Sequence, residues 1–585
     1  MTRKHKAVLL GVGLLTAFVS LATDRYVSAD GKYGEGLGEC YTDLQMAVAA
    51  AQNDETVWVT NGFVCASGIG GNKANKARID VPNRRITIRS QAGLVDEAKG
   101  LGATIKGPGT SCADADQARC VYFNGTTAKL IGFVLEDGYP NNYGGGVYGN
   151  GCTLRNCVIR NCKGTRGGGV YGASCEGCVI TNNMATAIGG GASMVKKLVS
   201  CTIAHNRVTG YGGGIGTWDP EINSFYTNCW FYANFATAQG GGIAMRDKPG
   251  PIFVVGCVIS NNCSLNTGGG CYAEQRAVKM MDCDIVENVV TNNNGGGLGG
   301  CVAADCRILR NMVVANLKTC SGAGAYDSML TNCVVSCNSN CCISIGNYGM
   351  GGGASKTTAV GCLISDNYAQ ANGGGLDDAS TAIRCLVRDN ISDYRAGGMN
   401  GGVSQRCVFT NNYAKDSGGG TWGGKHYNDL YIGNRAGGIA GAAAYSDTAS
   451  CVFNCTFVGN SGTKGHGFHG IGTAVNCVSW ENVSTVWDKY DKADVAVSNC
   501  CCAVTPQAPA VFGNIVADPK FRTIGGKDYY VGNKDCKNAS LPFDWMTDAN
   551  DARSKDVYGN ARVIGTAADL GAVESKIFGL SVLVR

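Results

Sequence analysis

One column of side chains in this sequence has the residue types that bind sugars. When the sequence is aligned on its glycine triplets, an apolar residue follows each triplet and this column comes one position later. Aromatic rings stack on the apolar faces of sugar rings, while amide and carboxyl groups hydrogen-bond to sugar hydroxyls. The column therefore predicts a glycan-binding surface, unless tyrosine and tryptophan are there only because they favour exposed strands. Among small residues, the column contains Tyr148, Tyr171, Tyr272, Tyr326, Asp377, Asn400, Trp422 and His469.

A further outward position adds three residues on neighbouring repeats. Trp218, Arg246 and Glu274 come two positions after the column and face the same way if strand alternation continues. Their repeats are among the longer ones, and we expect the extra residues to form a groove wall. Trp218 joins the predicted glycan-binding set. Arg246 and Glu274 are the candidates for catalysis, as a lyase site that would cleave a polysaccharide.

Other chemistry-bearing patterns do not predict a metal or cofactor site. His466 and His469 lie three residues apart without an obvious third ligand. Asp488, Asp491 and Asp494 recur every third residue, unlike the alternating spacing of a calcium loop. The sequence contains no phosphate-binding loop, dinucleotide fingerprint or nucleophile elbow. We therefore expect no metal and no cofactor.

The elements that position these residues repeat along the chain. Each repeat has a glycine triplet with its apolar residue and then a segment of the form Cys-x-Ile-x-x-Asn, as in residues 178–183 and 257–262. Both segments alternate with a period of two and end at glycine or asparagine, which is typical of short strands. Repeats of this length form stacked coils. The sequence thus predicts an all-β fold, a parallel β-helix with one coil per repeat and roughly eighteen coils.

Two further columns are expected to stack from coil to coil. Asparagine amides can bond between rungs, with interruptions expected at Cys162 and Arg435. Leu430 is expected to fill the one rung that lacks the repeat cysteine. We interpret most of these cysteines as free, buried thiols, with disulfides between neighbouring rungs as the alternative. Cys112 and Cys120 lie off the column and are better disulfide candidates.

The ends of the chain differ from the repeats. Arg3, Lys4 and Lys6 precede a short apolar stretch, which predicts a secretory signal peptide. A capping box at residues 42–45 predicts a helix at about 42–52. We divide the chain into a signal peptide (1–22), an N-terminal cap with the first coils (23–130), the repeat β-helix (131–505), a C-terminal cap (506–574) and a tail (575–585).

Composition excludes several classes of protein. Glycine makes up 88 of the 585 residues without the strict period of collagen. Charged residues are only 16% of the chain, which argues against wholesale disorder. Fifty basic residues against 45 acidic ones give no general nucleic-acid signature. No apolar run after the signal is long enough to span a membrane as a helix.

The repeats resemble those of right-handed parallel β-helix proteins of the pectate-lyase-like superfamily. Residues 26–62, with a cap helix and a following strand, are similar to the entry segment of that family. Glycine triplets followed by Phe-x-x-Asn, as at residues 231–234 and 409–412, look like the repeat of polymorphic outer-membrane proteins. Residues 568–574 look like the end of many bacterial surface β-helix proteins. The resemblance implies an exported protein that is adhesin-like or acts on glycans.

The acidic pair of polygalacturonases, enzymes of this superfamily, has only a superficial counterpart here. Asp377-Asp378 and Gly465-His466-Gly467 have similar residue types, but they lie 88 residues apart, about four coils or roughly 19 Å. Paired carboxyls in inverting glycosidases are about 6.5–9.5 Å apart. We therefore do not assign that mechanism to these residues.

Three functions remain open from the sequence. The leading expectation is an exported, non-catalytic protein, secreted or at the cell surface or outer membrane, that binds extracellular polysaccharide or a cell-surface ligand. The first alternative is a polysaccharide lyase or glycoside hydrolase, for which calcium is the one conceivable cofactor. The second alternative is a structural spacer of the surface layer. No nucleic-acid partner is expected.

Overall fold

We analysed a computed structural model of the chain. It describes residues 24–69, 76–113, 116–125, 127–218, 223–246, 250–315, 320–342, 348–444, 449–463, 467–470, 472–484, 496–502, 513–524, 527–564 and 566–574.

The described chain winds into a parallel β-helix, as predicted. Each coil passes in turn through four parallel sheets, numbered here in the order in which a coil visits them, and its strands pair in parallel with their counterparts in the neighbouring coils. Fourteen successive coils have a strand in every sheet. The predicted number, roughly eighteen, is somewhat higher because it included coils at the ends that lack one or more strands.

Sheet 1 carries the predicted aromatic column on its outer surface. Its 16 strands are mostly two or three residues long, and from Val147 onwards they follow the glycine triplets or degenerate copies of them. They are Ala77–Val81, Arg119–Phe123, Val147–Tyr148, Val170–Tyr171, Ala192–Ser193, Ile215–Thr217, Ile243–Met245, Cys271–Ala273, Leu298–Gly299, Ala325–Tyr326, Ala354–Ser355, Leu376–Asp377, Met399–Asn400, Thr421–Trp422, Ala443–Ala444 and Phe468–His469.

Sheet 2 follows sheet 1 in each coil and has 20 strands. They are Glu39–Tyr41, Arg25–Val27, Thr56–Val59, Thr87–Ser90, Lys129–Ile131, Thr153–Arg155, Ser174–Glu176, Lys197–Val199, Ser224–Thr227, Ile252–Val255, Val278–Met281, Val302–Ala304, Met329–Thr331, Thr358–Val360, Thr381–Ile383, Val403–Gln405, Lys425–Tyr427, Cys451–Phe453, Thr473–Val475 and Ala496–Ser498.

Sheet 3 holds the apolar residue of the Cys-x-Ile segments at the centre of its strands and has 19 strands. They are Val64–Cys65, Ala103–Lys106, Phe133–Glu136, Val158–Arg160, Val179–Thr181, Thr202–Ala204, Trp230–Tyr232, Val258–Ser260, Asp284–Val286, Arg307–Leu309, Val334–Ser336, Leu363–Ser365, Leu386–Arg388, Val408–Thr410, Leu430–Ile432, Thr456–Val458, Val478–Trp480, Cys501–Cys502 and Ile515–Val516.

Sheet 4 closes each complete coil and has 14 strands. They are Lys163–Arg166, Met184–Ile188, Arg207–Val208, Phe235–Ala236, Cys263–Ser264, Val289–Val290, Met312–Ala315, Ser339–Cys342, Tyr368–Ala369, Ile391–Ser392, Tyr413–Ala414, Arg435–Ala436, Ser461–Gly462 and Val483–Ser484. Outside the four sheets, Cys320–Ser321 pairs with Gly349–Met350 and Arg522–Ile524 with Lys527–Tyr530, and short 3₁₀ turns span Glu97–Lys99, Glu274–Arg276, Lys534–Cys536, Asp544–Met546 and Ala552–Ser554.

One α-helix, Leu44–Ala50, covers the N-terminal end of the described stack. It lies inside the predicted range but is shorter. Its cap is Asp43 rather than Thr42, since the Asp43 carboxylate accepts from the Met46 N–H at 2.8 Å. Gln45 does not complete a capping box, because its amide pairs with both backbone groups of Asp80 at 2.6 and 3.1 Å. The helix is thereby tied to the first strand of sheet 1.

A continuous ladder of asparagine side chains joins sheets 3 and 4. The Asn288 Oδ1 accepts from the N–H and the Nδ2 of Asn262, both at 3.0 Å, and its own amide donates to Ile259 O at 2.8 Å and to Asn311 Oδ1 at 2.9 Å. The predicted interruption at Arg435 is wrong, because Asn434 lies in the ladder and accepts from Asn412 at 3.1 Å. Every rung from Asn183 to Asn460 therefore has its buried backbone N–H satisfied.

The cysteine column contains free thiols. The Cys178 and Cys229 N–H groups lie 3.5 and 3.3 Å from the sulfur on the next rung, and all cysteines whose side chains the structure describes are unpaired as disulfides. This includes Cys112 and Cys120, so their predicted pairing is wrong. Leu430 does not fill the missing rung either. Asp429 does, because Leu430 pairs with Val408 and the Asp429 carboxylate accepts from the Cys407 N–H at 2.7 Å.

The glycine triplets form the corner between sheets 4 and 1. The first glycine has a positive φ, as at Gly240 with +70°, and the next two pack against the neighbouring coil. A Cβ on Gly241 would lie 2.4 Å from Gly269 O and 2.6 Å from Cys263 O. Only glycine fits so close to two carbonyl oxygens, which explains why the triplet recurs.

Residues 527–564 and 566–574, here termed the C-terminal strap, pack along the side of the β-helix. Phe543 lies against Phe453, with ring centroids 5.3 Å apart, and Trp545 lies 5.9 Å from Tyr427, both rings belonging to sheet 2. The Ala572 N–H donates to the Thr456 hydroxyl of sheet 3 at 2.8 Å. In the described part of the predicted C-terminal cap, the strap thus covers the outer surfaces of sheets 2 and 3 and leaves sheet 1 uncovered.

Candidate functional site

The outer surface of sheet 1 aligns the predicted glycan-binding residues along the β-helix. Tyr148 pairs directly with Tyr171, and in later coils Asn400 pairs with Trp422. Between Tyr171 and Tyr272 the same position holds only small residues, which leave room for larger neighbouring side chains. Those small residues are Ser193, Gly216 and Ala244.

The tyrosines of the first coils stack on one another. The ring centroids of Tyr122 and Tyr148 are 5.4 Å apart, those of Tyr148 and Tyr171 are 5.2 Å apart, and Tyr143 stacks on Tyr171 at 4.9 Å. Their planes are nearly parallel, so each ring uses its face on the next tyrosine. A sugar would meet ring edges and hydroxyl groups here, which corrects the expectation that these rings stack on sugar faces.

Arg119 is buried beneath this stack, with 1% of its surface exposed. Its guanidinium lies 5.4 Å from the Tyr122 centroid and 5.2 Å from that of Tyr148, and it donates to Asn142 Oδ1. Burial lowers the pKa of Arg119 to about 10. Its Nε and Nη1 have no hydrogen-bond partner within the described chain. The tyrosine stack therefore covers the Arg119 guanidinium, and two of its three nitrogens have no hydrogen-bond partner among the described residues.

A second group of side chains fills the space over the small residues. The Arg166 guanidinium bridges two rings, 5.1 Å from Tyr143 and 5.1 Å from Trp218. The ring centroids of Tyr211 and Trp218 are 6.1 Å apart, and the Arg246 guanidinium lies 4.3 Å from the Tyr211 centroid. Trp218 Nε1 and Arg246 Nε are buried and lack a partner among the residues described. Ring contacts thus hold both side chains in place.

We term this continuous surface the aromatic–arginine face. Sequence analysis missed part of it because the alignment followed the residues after each triplet. Tyr143, Arg166 and Tyr211 lie directly before a glycine triplet, and an alignment on that position would have shown them. The face consists of Tyr122, Tyr143, Tyr148, Arg166, Tyr171, Tyr211, Trp218, Arg246 and Tyr272.

The two catalytic candidates lie at the far end of this face. Thr217, Met245 and Ala273 are paired in register, so Trp218, Arg246 and Glu274 follow at the same position on successive coils. Burial raises the pKa of the Tyr272 hydroxyl, and the nearby charges of Glu274 and Arg246 act on it in opposite directions. Arg246 and Glu274 thus occupy the same position on adjacent coils, beside the half-buried Tyr272.

Asp377 is not an accessible site residue. It occupies the outward column, but its side chain is fully buried, and burial raises its pKa to about 7. Asn400 donates to its Oδ1 at 2.8 Å, while Oδ2 has no partner among described atoms. Its neighbour Asp378 is half exposed and pairs with Lys356 at 3.6 Å. The Asp377 carboxyl is therefore enclosed in the outer layer of sheet 1 and does not face a ligand.

Tyr326 and Trp422 each lie under a cation. The Lys356 ammonium is 5.7 Å from the Tyr326 centroid, and the Arg395 guanidinium is 4.2 Å from that of Trp422. One face of each ring is thus occupied. This second half of the column contains isolated rings rather than a continuous surface. Gly465 and His466 of the polygalacturonase-like pattern, and Asp488, Asp491 and Asp494, lie outside the described residues.

A serine, a histidine and an aspartate also meet inside the β-helix. Ser404 Oγ lies 2.5 Å from His426 Nδ1 and donates to Asp429. Burial lowers the pKa of His426 to about 4 and raises that of Asp429 to about 7. All three are fully buried, so they form a polar network of the core without access for a substrate.

Metal ligands are not clustered in the part of the chain that the structure describes. No group of three or more His, Cys, Asp or Glu side chains is placed there to hold a metal ion. The helix Leu44–Ala50 is the longest among the described residues, and none is long and apolar enough to cross a membrane.

Comparison with known proteins is informative for the fold. Residues 145–301 match the family model described as right handed beta helix region. No curated protein was found to be significantly similar to this chain. The matched range lies within the four-sheet coils.

Solved structures align over most of the chain with low identity. The pectate lyase Pel9A is 12% identical over 95% of this chain and 98% of its own, with a TM-score of 0.16. The mannuronan C-5 epimerase AlgE6 A-module of Azotobacter vinelandii is 12% identical over 82% of this chain and 95% of its own, with a TM-score of 0.15. The AlgE4 A-module of the same organism is 10% identical over 83% and 99%, with a TM-score of 0.16. The family match and the stacked parallel sheets together show that this chain is a right-handed parallel β-helix.

Proposed function

We propose that this protein is exported and binds an extracellular polysaccharide along the aromatic–arginine face without cleaving it. The observation that carries the proposal is the unbroken series of ring and guanidinium contacts from Tyr122 to Arg246 on an outer surface that the C-terminal strap leaves uncovered. Successive coils lie about 4.8 Å apart, so this surface is long enough for several sugar units.

The chemistry of the face favours a ligand rich in oxygen acceptors. Trp218 Nε1 and Arg246 Nε are buried donors without a described partner. Arg166 and Arg246 are only partly buried as residues, and their other guanidinium N–H groups can donate to sugar hydroxyl or carboxylate oxygens. Because the tyrosine rings stack on one another, we expect binding through hydrogen bonds and charge more than through ring stacking.

The test is retention of the protein on a panel of acidic and neutral immobilised polysaccharides, with and without calcium. The wild type should be retained by at least one member. Arg166→Ala and Trp218→Ala should each weaken that retention about ten-fold, equivalent to about 1.4 kcal/mol. Retention should also fall with added salt, because arginines contribute.

A matched control comes from another surface of the same rod. Phe225 is an aromatic residue of sheet 2 with 49% of its surface exposed and lies outside the face. Phe225→Ala should leave retention unchanged. Equal retention of wild type, Arg166→Ala and Trp218→Ala on every matrix would reject the proposed surface, and no retention at all would favour a structural spacer or a protein partner.

Polysaccharide cleavage is the second candidate function. The observation in its favour is that Arg246 and Glu274 occupy the same position on adjacent coils, beside the half-buried Tyr272. In this case Arg246 would act as a base, with calcium as a cofactor of the reaction. The same incubations, followed for newly formed chain ends, test it: cleavage that Arg246→Ala abolishes would replace the binding proposal with this one.

A further inference from the structure

A polar pocket opens beside the N-terminal end of the aromatic–arginine face. Its volume is about 410 Å³, within the range of small-molecule binding sites. It lies where the first complete coils pass through sheet 4, next to the Tyr143 end of the face. The residues that carry the argument are Gln117, Tyr139, Asn141, Lys163, Thr165 and Thr186.

A bulged strand positions this pocket. Lys163–Arg166 is the first strand of sheet 4, and its pairing with Met184–Ile188 shifts register between Gly164 and Arg166. A bulge redirects side chains and is often found next to binding sites. The extra residue lies in the partner strand Met184–Ile188, where Thr186 lines the pocket. Lys163 lines the pocket as well, while Arg166 lies on the aromatic–arginine face between Tyr143 and Trp218.

Lys163 is the charged group of the pocket. Its ammonium lies 5.0 Å from the centroid of the Tyr139 ring, and no carboxylate of the described residues forms an ion pair with it. A ring quadrupole stabilises an ammonium only in part. The other described lining groups are neutral, with amides and hydroxyls among them, so Lys163 carries the only charge among the described residues that line the pocket.

The remaining lining groups fit a sugar. Asn141, Gln117, Thr165 and Thr186 carry amides and hydroxyls that can exchange hydrogen bonds with ring hydroxyls. We propose that this pocket binds one pyranose unit that carries an anionic group, with the anion on Lys163 and the ring beside Tyr139. This inference rests on the proposed function and extends it, since it makes one charged unit of the chain the anchor.

A backbone hydrogen bond and a short stretch of chain connect the pocket to the aromatic–arginine face. The Thr165 N–H donates to Asn142 O at 2.7 Å, and Asn142 and Tyr143 lead directly from the pocket to the tyrosine stack. A chain seated in the pocket can therefore continue along the face towards Trp218. The pocket would take a terminal or branching unit, and the face would take the units that follow.

The test compares oligosaccharides that differ only in the charge of one unit. Titration calorimetry would use trisaccharides ending in glucuronate or galacturonate and the same trisaccharides ending in glucose or galactose. Wild type should bind a uronate-ended form at least about ten-fold more tightly than its neutral counterpart. Lys163→Met keeps the aliphatic stem and should remove this preference, whereas Lys129→Met, at an exposed lysine of sheet 2, should keep it.

Two outcomes would reject binding of a charged sugar in the pocket without rejecting the proposed function. If wild type is retained by polysaccharide but shows no preference for the charged trisaccharide, the pocket is wrong and the face stands. The same conclusion follows if Lys163→Met keeps the preference. If Trp218→Ala has no effect on polysaccharide retention while Lys163→Met abolishes it, the pocket alone is the binding site and the face is wrong. If no sugar of either type binds, both are wrong.

Discussion

Asp377 shows how a residue of suitable type can occupy the predicted position and still be unavailable. Burial raises the pKa of its carboxyl from 3.8 to about 7, so the folded protein binds this proton more tightly than the unfolded chain. For an acid with a raised pKa, stability is highest at low pH and falls as the pH rises from about 4 to about 7.

We therefore expect Asp377→Asn to stabilise the protein selectively at neutral and alkaline pH. The substitution keeps an oxygen that can accept from Asn400. The gain in unfolding free energy over wild type should grow by on the order of 2 kcal/mol between pH 5 and pH 8. Denaturant unfolding at the two pH values measures it, and the buried groups of the core titrate in both proteins and cancel in the difference.

A difference between the two proteins that stays constant across this pH range would show that Asp377 is already ionised in the folded state. Asn390→Ala offers a contrast on the same coils, because it removes a buried amide without a titrating group. It should lower stability by the same amount at both pH values.

For single residues, the sequence predicted which side of the sheet a side chain faces better than it predicted the neighbours of that side chain. Tyr148, Tyr171 and Trp422 lie on the outer surface as expected, because strand alternation fixes which side a residue faces. The stacking of tyrosine on tyrosine and the burial of Asp377 depend on what the neighbouring coils contribute, and that is not a property of one repeat. The partners Arg119 and Arg395 lie at positions that the alignment did not single out.

The asparagine ladder is the element that ties one coil to the next. Asn288 makes four hydrogen bonds with distances of 2.8–3.0 Å, and it satisfies the buried N–H of Asn262. Asn288→Ala would leave that N–H and the Ile259 carbonyl without these partners. Each unsatisfied buried group costs about 1–3 kcal/mol.

We expect Asn288→Ala to destabilise the protein by about 3 kcal/mol or more in a thermal or denaturant unfolding measurement. Asn150→Ala is the matched control, because Asn150 is exposed and lies outside the ladder, and it should change stability by less than about 0.5 kcal/mol. Equal, small effects of both substitutions would mean that the ladder contributes little to cohesion between coils.

The repeat pattern predicted the fold class and the strand order, but it did not predict every residue of the core. Fold class and strand order followed from the period and the alternation, since both are set by residues that recur in every coil. One rung of the cysteine column lacks a cysteine, and the sequence predicted Leu430 there instead of Asp429, one residue earlier. Leu430 was favoured because it is apolar like the rest of the core, whereas Asp429 is not. The structure places Asp429 in the core, where Ser404 and the Cys407 N–H supply its hydrogen bonds.

At the scale of the whole molecule, a column of free cysteine thiols runs along the interior of the β-helix. The thiols of the column, such as Cys257 and Cys306, are buried and stack from rung to rung. The thiolate is the reactive form of cysteine, and an apolar environment disfavours it. The column should therefore be inert towards a thiol reagent as long as the β-helix stays folded.

Thiol titration without reductant tests this directly. The folded protein should react at only a few cysteines, with the exposed Cys337 among them, and denaturation should release most of the remainder. If denaturation releases few additional thiols, the column is cross-linked by disulfides and its interpretation as free thiols is wrong. Denaturation in the presence of reductant calibrates the full number.

The strap and the face lie on different sides of the rod. The strap packs its aromatic residues on sheets 2 and 3, through Tyr427, Phe453 and Thr456, while sheet 1 stays open. Composition and repeats indicated a distinct C-terminal region, but they could not specify which sheet it covers. That placement depends on particular side-chain contacts between distant parts of the chain.

The central claim is that polysaccharide lies along sheet 1, and hydroxyl-radical footprinting with mass spectrometry tests it most directly. The wild type would be labelled alone and with the polysaccharide that retains it. We expect protection of residues 139–148, 163–171, 211–218 and 243–246, with unchanged labelling of Phe225 on sheet 2. Protection centred on sheets 2 and 3, with the peptides of sheet 1 unchanged, would contradict the account.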